Sequence, residues 1–198
     1  MEMERNQELV ESGLMDQFIS VVGASFGLDT TPFAANLRRC VEEQARRRGI
    51  GTTTYLRDQL LAGKGDKKAI AALLDGLLLG HTHFYRHKAV WDWLGREART
   101  WKKGGTVKAL TAGCSTGEET YTLGLCLAEA VGPGGFEVLG VDMSYRALGK
   151  AQEGLYAVGD IQELPPLWAS KGFEPATIGL MRVAPWLAAR VRFAWANL

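Results

Sequence analysis

The stretch LTAGCSTGEETYTLG, residues 110–124, combines small residues with acids in a way that restricts the ligand it can serve. A short apolar run, Val107 to Leu110, leads into Ala112, Gly113, Ser115 and Gly117, and a helical pattern follows. Glycines between a strand and a helix let a ligand lie close against the backbone, and the positive end of the helix ordinarily holds phosphate there. Here the first helical turn carries Glu118 and Glu119 instead. Two carboxylates repel a pyrophosphate and attract a cation. The competing explanation is that these acids only complement the helix macrodipole. A further acid, Asp142, ends the next apolar run, at a place where an acid commonly accepts hydrogen bonds from ribose hydroxyls. Alone it is an ordinary strand-end acid. A ligand with positive charge and no phosphate suits the loop, and S-adenosylmethionine, with a sulfonium and an ammonium near its methionine end, is such a ligand.

These residues need a frame of alternating strand and helix, and the pattern after residue 105 has that alternation. TVKALT (106–111) predicts a short strand, and EETYTLGLCLAEAVG (118–132) predicts a helix ending at Gly132. FEVLGVD (136–142) follows as a second strand and SYRALGKAQEG (144–154) as a second helix. Such alternation implies a parallel sheet with crossover helices. The remainder is less regular, with short strand-like runs around Pro185 and an alternating strand in VRFAWANL (191–198). Upstream the pattern is helical. Val10, Leu14, Phe18, Val21 and Val22 recur at three- and four-residue spacing. Residues 28–49 begin with capping residues and Pro32 and end at Gly49, a start and a stop for one helix. TTTYLRDQLLAG (52–63) and DKKAIAALLDGLLLG (66–80) each carry an N-cap residue and a terminal glycine. KAVWDWLGREART (88–100) continues the helical pattern until KKGG (102–105) breaks it. The predicted organisation is an all-helical domain, 1–101, followed by an α/β domain, 102–198.

Bulk composition narrows the function classes. Hydrophobic residues make up 46% of the 198 and charged residues 23%, ordinary for a chain with a real core. The net charge of +1 implies no bulk attraction to nucleic acid or to a membrane surface. Cys40, Cys114 and Cys126 are too few and too scattered for a disulfide framework or a zinc site, and read as reduced thiols of a cytoplasmic protein. The polar, acidic start, EMERNQE, predicts no signal peptide. The longest apolar stretch, 69–80, contains Asp75 and is too short to span a bilayer. His81, His83 and His87 cluster, but no nearby acid or cysteine completes a metal site, and no metal is expected.

AGCSTGEETYTLGLCLAEA, followed by EVLGVDMSYRALGKAQEGLY, resembles the chemotaxis-receptor (CheR-type) methyltransferase family. That family reads A-x-C/S-S-T-G-E-E-P-Y-S at its cofactor loop and D-I-x-x-x-A-L-x-x-A-x-x-G-x-Y from its ribose acid onward. THFYRHKAVWDWL (82–94) is similar to the family's T-x-F-F-R-D-x-x-x-F-x-x-L. LMRVAPWLAARVRFAWANL (180–198) is similar to its segment running from a small β-subdomain into a strand ending in Asn-Leu. The resemblance spans almost the whole chain in the family's order. It implies an N-terminal helical receptor-docking domain, then a Rossmann-like class I methyltransferase sheet with a small β-subdomain. By the same resemblance, Thr82 and Arg86 reach the methionine end of S-adenosylmethionine and the reaction centre. The loop containing Gly113, with Glu118, Glu119 or both, binds the cofactor. Asp142 holds the ribose, and Asn197 and Leu198 the adenine. The implied reaction is methylation of glutamate side chains on the cytoplasmic helices of a methyl-accepting chemotaxis receptor, leaving S-adenosylhomocysteine.

The stretch RRCVEEQARRR (38–48) has five arginines and two glutamates, a local +3. Receptor methylation helices are acid-rich, so the resemblance makes Arg38, Arg39 and Arg46 receptor-docking residues. The competing reading is a solvated helix whose Glu42–Arg46 and Glu43–Arg47 pairs contribute only ~0.2–0.5 kcal/mol each, leaving Arg38, Arg39 and Arg48 free.

Departures from the family pattern carry expectations too. Gly80 replaces a usual asparagine, and Thr120 replaces the loop proline. The family's further strand, bearing C-R-N-V/L-x-I-Y-F, is not in this sequence. The sheet is therefore expected to be incomplete, with strand 106–111 unpaired at one edge and open to association there. The chain as written is then expected to be a poor methyltransferase, or a non-catalytic receptor- or cofactor-binding module. A methyltransferase acting on small molecules or nucleic acid fits less well, given the near-neutral charge and the N-terminal helices.

Overall fold

The computed structural model describes residues 2–63, 75, 82–101 and 105–197. The helix predicted over 66–80, apart from Asp75, lies outside them, as do His81 and Leu198. The chain divides into two compact units, Met1–Leu79 and Gly80–Leu198.

The first unit contains α1 (Glu2–Phe26), α2 (Ala34–Arg47) and α3 (Thr52–Gly63). Leu37, Val41 and Ala45 are spaced four apart on α2 and form its buried stripe. They join Phe18, Val22 and Phe26 of α1 and Tyr55 and Leu56 of α3 in the core. The single helix predicted over 28–49 is two pieces, because the chain bends at its start. The Asp29 carboxylate accepts the Thr31 N–H at 2.9 Å, and Pro32 sits in a 3-10 turn over Thr31–Phe33. The helix stops as the sequence predicts. Gly49 has φ +67°, its N–H bonds to the Arg46 carbonyl, and the Ile50 N–H reaches back to the Ala45 carbonyl.

The second unit opens with α4 (Lys88–Thr100), then runs β1 (Val107–Ala112), α5 (Glu118–Val131), β2 (Phe136–Asp142) and α6 (Tyr145–Glu153). β3 (Leu155–Ala157), α7 (Pro166–Gly172), β4 (Phe173–Thr177), β5 (Leu180–Val183), α8 (Pro185–Ala188) and β6 (Val191–Trp195) complete it. β1, β2 and β6 form a parallel sheet in that order, with Ala112 opposite Val141 and Asp142 opposite Trp195. This is the α/β, Rossmann-like arrangement the sequence predicts. α5 is buried on nearly every side from Thr120 to Leu127, so it holds its place by packing all round, as an interior helix does. α4 packs along α5, where the Cys126 thiol meets the Trp91 carbonyl at 3.6 Å and Arg99 pairs with Glu129 at 2.7 Å.

β3, β5 and β4 form a separate small antiparallel sheet in that order. Pro175, which cannot donate to a ladder, lies on its edge strand β4 beside a register shift. Pro185, around which the sequence shows strand-like runs, begins the short helix α8. Among the described residues β1 pairs with β2 alone, so one edge of the parallel sheet is unpaired. Leu110 and Leu139, opposite each other on one face of β1 and β2, are 57% and 39% exposed.

Candidate functional site

The carboxyl ends of β1 and β2 meet at the glycine loop. Gly113 (φ +69°), Ser115 (φ +49°) and Gly117 (φ +95°) are all left-handed, so the chain turns tightly before α5 begins. Gly117 is required by packing as well as conformation. A Cβ there would lie 2.9 Å from the Ala151 Cβ, 3.0 Å from the Tyr156 hydroxyl and 3.1 Å from the Phe193 ring. Gly113 is different, since nothing stands within 4 Å of a Cβ added to it. Its lack of a side chain leaves open space beside the loop.

Asp142, at the end of β2, braces this loop. One carboxylate oxygen accepts the Ser115 N–H at 2.7 Å and the other accepts the Ser144 N–H at 2.8 Å. The acid thus ties loop and α6 together, and each oxygen keeps acceptor capacity for another donor. The Cys114 N–H bonds to the Val141 carbonyl at 3.0 Å, extending the β1–β2 pairing into the loop.

The two acids of α5 have different environments. Glu118 is buried, and the Thr116 hydroxyl lies 2.8 and 2.7 Å from its two carboxylate oxygens. Burial pushes its carboxyl above the usual range, with the Thr116 hydroxyl pulling the other way. Glu119 is exposed. A withdrawn carboxylate held by one hydroxyl gains from a cation beside it. An exposed one already has water. Cys114 is buried beneath the loop and its thiol is pushed up to about 12, first by burial and then by Asp142, so it stays protonated.

Segment 82–87 is anchored to the same helix. Phe84 is fully buried, edge-on to Tyr156 at 4.8 Å and to Phe173 at 5.3 Å. Tyr85 and His87 take left-handed conformations, φ +56° and +58°, each costing ~1–2 kcal/mol. Burial of Phe84, worth ~1.5–3 kcal/mol, offsets much of that. The Tyr85 N–H bonds to the Thr122 hydroxyl at 3.2 Å, one turn after Glu118, and Thr122 in turn donates to the Glu118 carbonyl. The Trp91 indole N–H donates to the Arg86 carbonyl at 2.6 Å, fixing that backbone while the side chain is exposed. Thr82 is half-buried. The structure therefore brings the Thr82–Arg86 segment to the first turns of α5.

At the far side, the Trp195 indole N–H donates to the Met143 carbonyl at 2.8 Å and its ring stacks on Tyr145 at 5.7 Å. The Ala196 N–H bonds to the Asp142 carbonyl, so exposed Asn197 lies one residue beyond that contact. Among the described residues no cluster could hold a metal ion, and no helix is long and apolar enough to cross a membrane.

Arg38, Arg39, Arg46 and Arg47 lie on α2, in the first unit, and Arg48 caps its end. Arg46 and Arg47 both pair with Glu43, so the pair drawn to Glu42 is not made. Arg38 pairs with Asp16 at 3.4 Å, and Arg48 lies over the Tyr55 ring at 5.2 Å. Arg38 and Arg48, free on helical spacing alone, thus have partners from other helices. Arg39 is exposed.

Sequence reasoning missed Thr116, Thr122 and Tyr156, whose hydroxyls hold the loop and the 82–87 segment. Tyr156 had a signal, as the last residue of the G-x-Y motif. Thr116 had one too, as the threonine of the S-T-G-E-E loop motif, and Thr122 stands where that motif ends in serine.

Comparison with known proteins agrees with this geometry. The family described as CheR methyltransferase, SAM binding domain, matches residues 80–198. The chain is 33% identical over 132 residues to a chemotaxis protein methyltransferase of Salmonella typhimurium, covering 64% of this chain and 45% of that protein. The Escherichia coli protein of the same name gives 33% over 132 residues, with 64% and 46% covered. A probable biofilm formation methyltransferase, WspC, of Pseudomonas aeruginosa is 26% identical over 189 residues, covering 92% of this chain and 44% of that protein. The chain spans about half the length of these curated relatives, 44–46%. A glycine loop braced by a strand-end acid, a buried carboxylate at the helix start and a family match over the whole second unit converge: the chain belongs to the CheR methyltransferase family, with its S-adenosylmethionine-binding domain in residues 80–198.

Proposed function

We propose that this chain uses S-adenosylmethionine to methylate glutamate side-chain carboxylates on the cytoplasmic helices of methyl-accepting chemotaxis receptors, acting in the cytoplasm. The single observation that carries the cofactor site is the pairing of buried Glu118 with a glycine loop that Asp142 braces. The residues fit the cofactor on three counts. Gly113 leaves room beside the backbone, Asp142 keeps acceptor capacity for ribose hydroxyls, and Glu118 offers a desolvated carboxylate to a cation. Thr82 and Arg86 serve the methionine end, and Asn197 and Leu198 the adenine. Glu118 is favoured over Glu119 as the cofactor acid because its charge is the one lacking solvent.

When bound, the cofactor supplies an activated methyl group on sulfur. The incoming glutamate carboxylate, with an ordinary pKa near ~4.3, is already ionised at neutral pH. The chain need supply no general base. Its task is to align the carboxylate oxygen with the methyl–sulfur axis and strip water from it. Arg86, on a backbone pinned by Trp91, orients the incoming carboxylate or holds the cofactor's own. Arg38, Arg39 and Arg46 attract the acid-rich receptor helix.

A second reading is a module that binds receptor or cofactor without transferring methyl. Radiolabelled methyl transfer to a receptor cytoplasmic fragment decides between them. Base-labile methyl esters on glutamate support the enzyme. Cofactor or receptor binding without ester formation supports the module, and binding of neither overturns both.

A further inference from the structure

We propose that Tyr156 is a positioning residue, which sets the geometry of the cofactor loop from the small antiparallel sheet. This rests on the cofactor reading of the loop above. Tyr156 belongs to β3, opposite Met181 of β5, and is 5% exposed. Its hydroxyl donates to the Thr116 carbonyl at 2.6 Å. Thr116 is the residue whose own hydroxyl holds both oxygens of Glu118. The next residue, Gly117, has φ +95°, donates to the Cys114 carbonyl at 3.0 Å and its carbonyl accepts the Tyr121 N–H, the opening helical bond of α5. The same Tyr156 hydroxyl stands 3.0 Å from where a Gly117 side chain would begin. One phenol therefore fixes the peptide plane between Thr116 and Gly117, and with it the direction of the Thr116 hydroxyl and the seat of Glu118.

The ring does a second job. It lies edge-on to Phe84 at 4.8 Å, and Phe84 is the buried anchor of the segment carrying Thr82 and Arg86. Tyr156 thus touches both halves of the candidate site, one through its hydroxyl and one through its ring. Burial, and next Glu118, push the phenol far above its ordinary range, so it remains a hydrogen-bond donor at any working pH. Tyr121 is a matched comparison. Its buried hydroxyl also donates to a backbone carbonyl, at 2.9 Å, but the acceptor is Ala151 of α6, outside the loop.

The test compares Tyr156→Phe, which keeps the ring, with Tyr121→Phe in the full chain. Two quantities are read: amide hydrogen exchange at 114–117 without cofactor, and affinity for S-adenosylhomocysteine by calorimetry. In Tyr156→Phe, loop exchange is expected to rise, and affinity to fall, by about fivefold to tenfold, the factor one lost hydrogen bond gives. Tyr121→Phe is expected to lower thermal stability comparably and change neither readout. Unchanged loop exchange in Tyr156→Phe, or faster exchange with parental affinity, would overturn the proposal. So would equal losses in both variants, since these mark a general loss of stability. Failure of the parent itself to bind S-adenosylhomocysteine would instead refute the cofactor reading, while loop exchange still decides whether Tyr156 sets the loop.

Discussion

The glycine loop of the second unit and the arginine helix of the first use charge in opposite ways. Glu118 is withdrawn from water and held by Thr116, and each Asp142 oxygen accepts one backbone N–H. Each of these two charges is held by specific groups of the loop and its flanks. On α2 the charges are in solvent, where Arg46 and Arg47 share Glu43 and Arg38 reaches Asp16 across 3.4 Å. Exposed pairs of that kind contribute ~0–1 kcal/mol, so these arginines exchange partners at little cost. A site that must align a small ligand is built from buried, interlocked groups. A solvated charged face offers only sign and density of charge.

The largest expected effect tests the interlocking. Asp142→Ala removes two charge-assisted bonds to Ser115 and Ser144 and should lower unfolding free energy by ~2–4 kcal/mol. Affinity for S-adenosylhomocysteine should fall by a further ~1–3 kcal/mol as the ribose acceptors go. Denaturant titration and calorimetry read the two separately. Parental affinity in this variant would remove Asp142 from the site.

A smaller effect tests the buried charge. The folded-state pKa of Glu118 is raised above 4.5, so the folded chain binds this proton more tightly than the unfolded chain does. Ionised Glu118 therefore costs stability above its folded pKa, and the cost fades as pH falls from there towards 4.5. Glu118→Gln should be no less stable than the parent at pH 7, with any advantage vanishing at acid pH. The same substitution should weaken S-adenosylmethionine binding about tenfold. It should also abolish the drop in affinity that the parent shows as pH falls through the raised pKa. Melting curves and titrations from pH 4 to 8 check both signs. A pH-independent parent would mean that Glu118 does not meet the cation.

The smallest effect lies on α2. Arg39→Glu with Arg46→Glu, seven apart on one helical face, should weaken capture of an acidic receptor peptide by ~0.2–1 kcal/mol per site. Added salt should erase the difference, and cofactor affinity should not move. Peptide binding indifferent to both reversal and salt would leave α2 a solvated helix.

Much of this molecule is local in origin and was legible before the fold. The strand–loop–helix alternation from residue 106, the stop at Gly49 and the acids at 118, 119 and 142 are features of adjacent residues, governed by periodicity, turn chemistry and capping. The small sheet was less legible. β3 has three residues and β4 contains a proline, so neither carries a clean alternation. The sequence pattern changes at the glycines of 102–105, whereas the compact units part at Leu79 and Gly80, with α4 packed on α5.

What the residues determined alone was therefore the order of elements, together with a loop whose glycines admit close approach and whose carboxylates disfavour a phosphate. Tertiary structure decided which of two adjacent glutamates is desolvated. It also decided that Asp142 braces Ser115 across a separation of 27 residues and that Tyr156 reaches Thr116 across 40. Burial and hydrogen-bond partnership depend on what distant segments pack against a group. Neighbours in sequence set only the backbone's local preference, and the fold sets the environment in which each charge must exist.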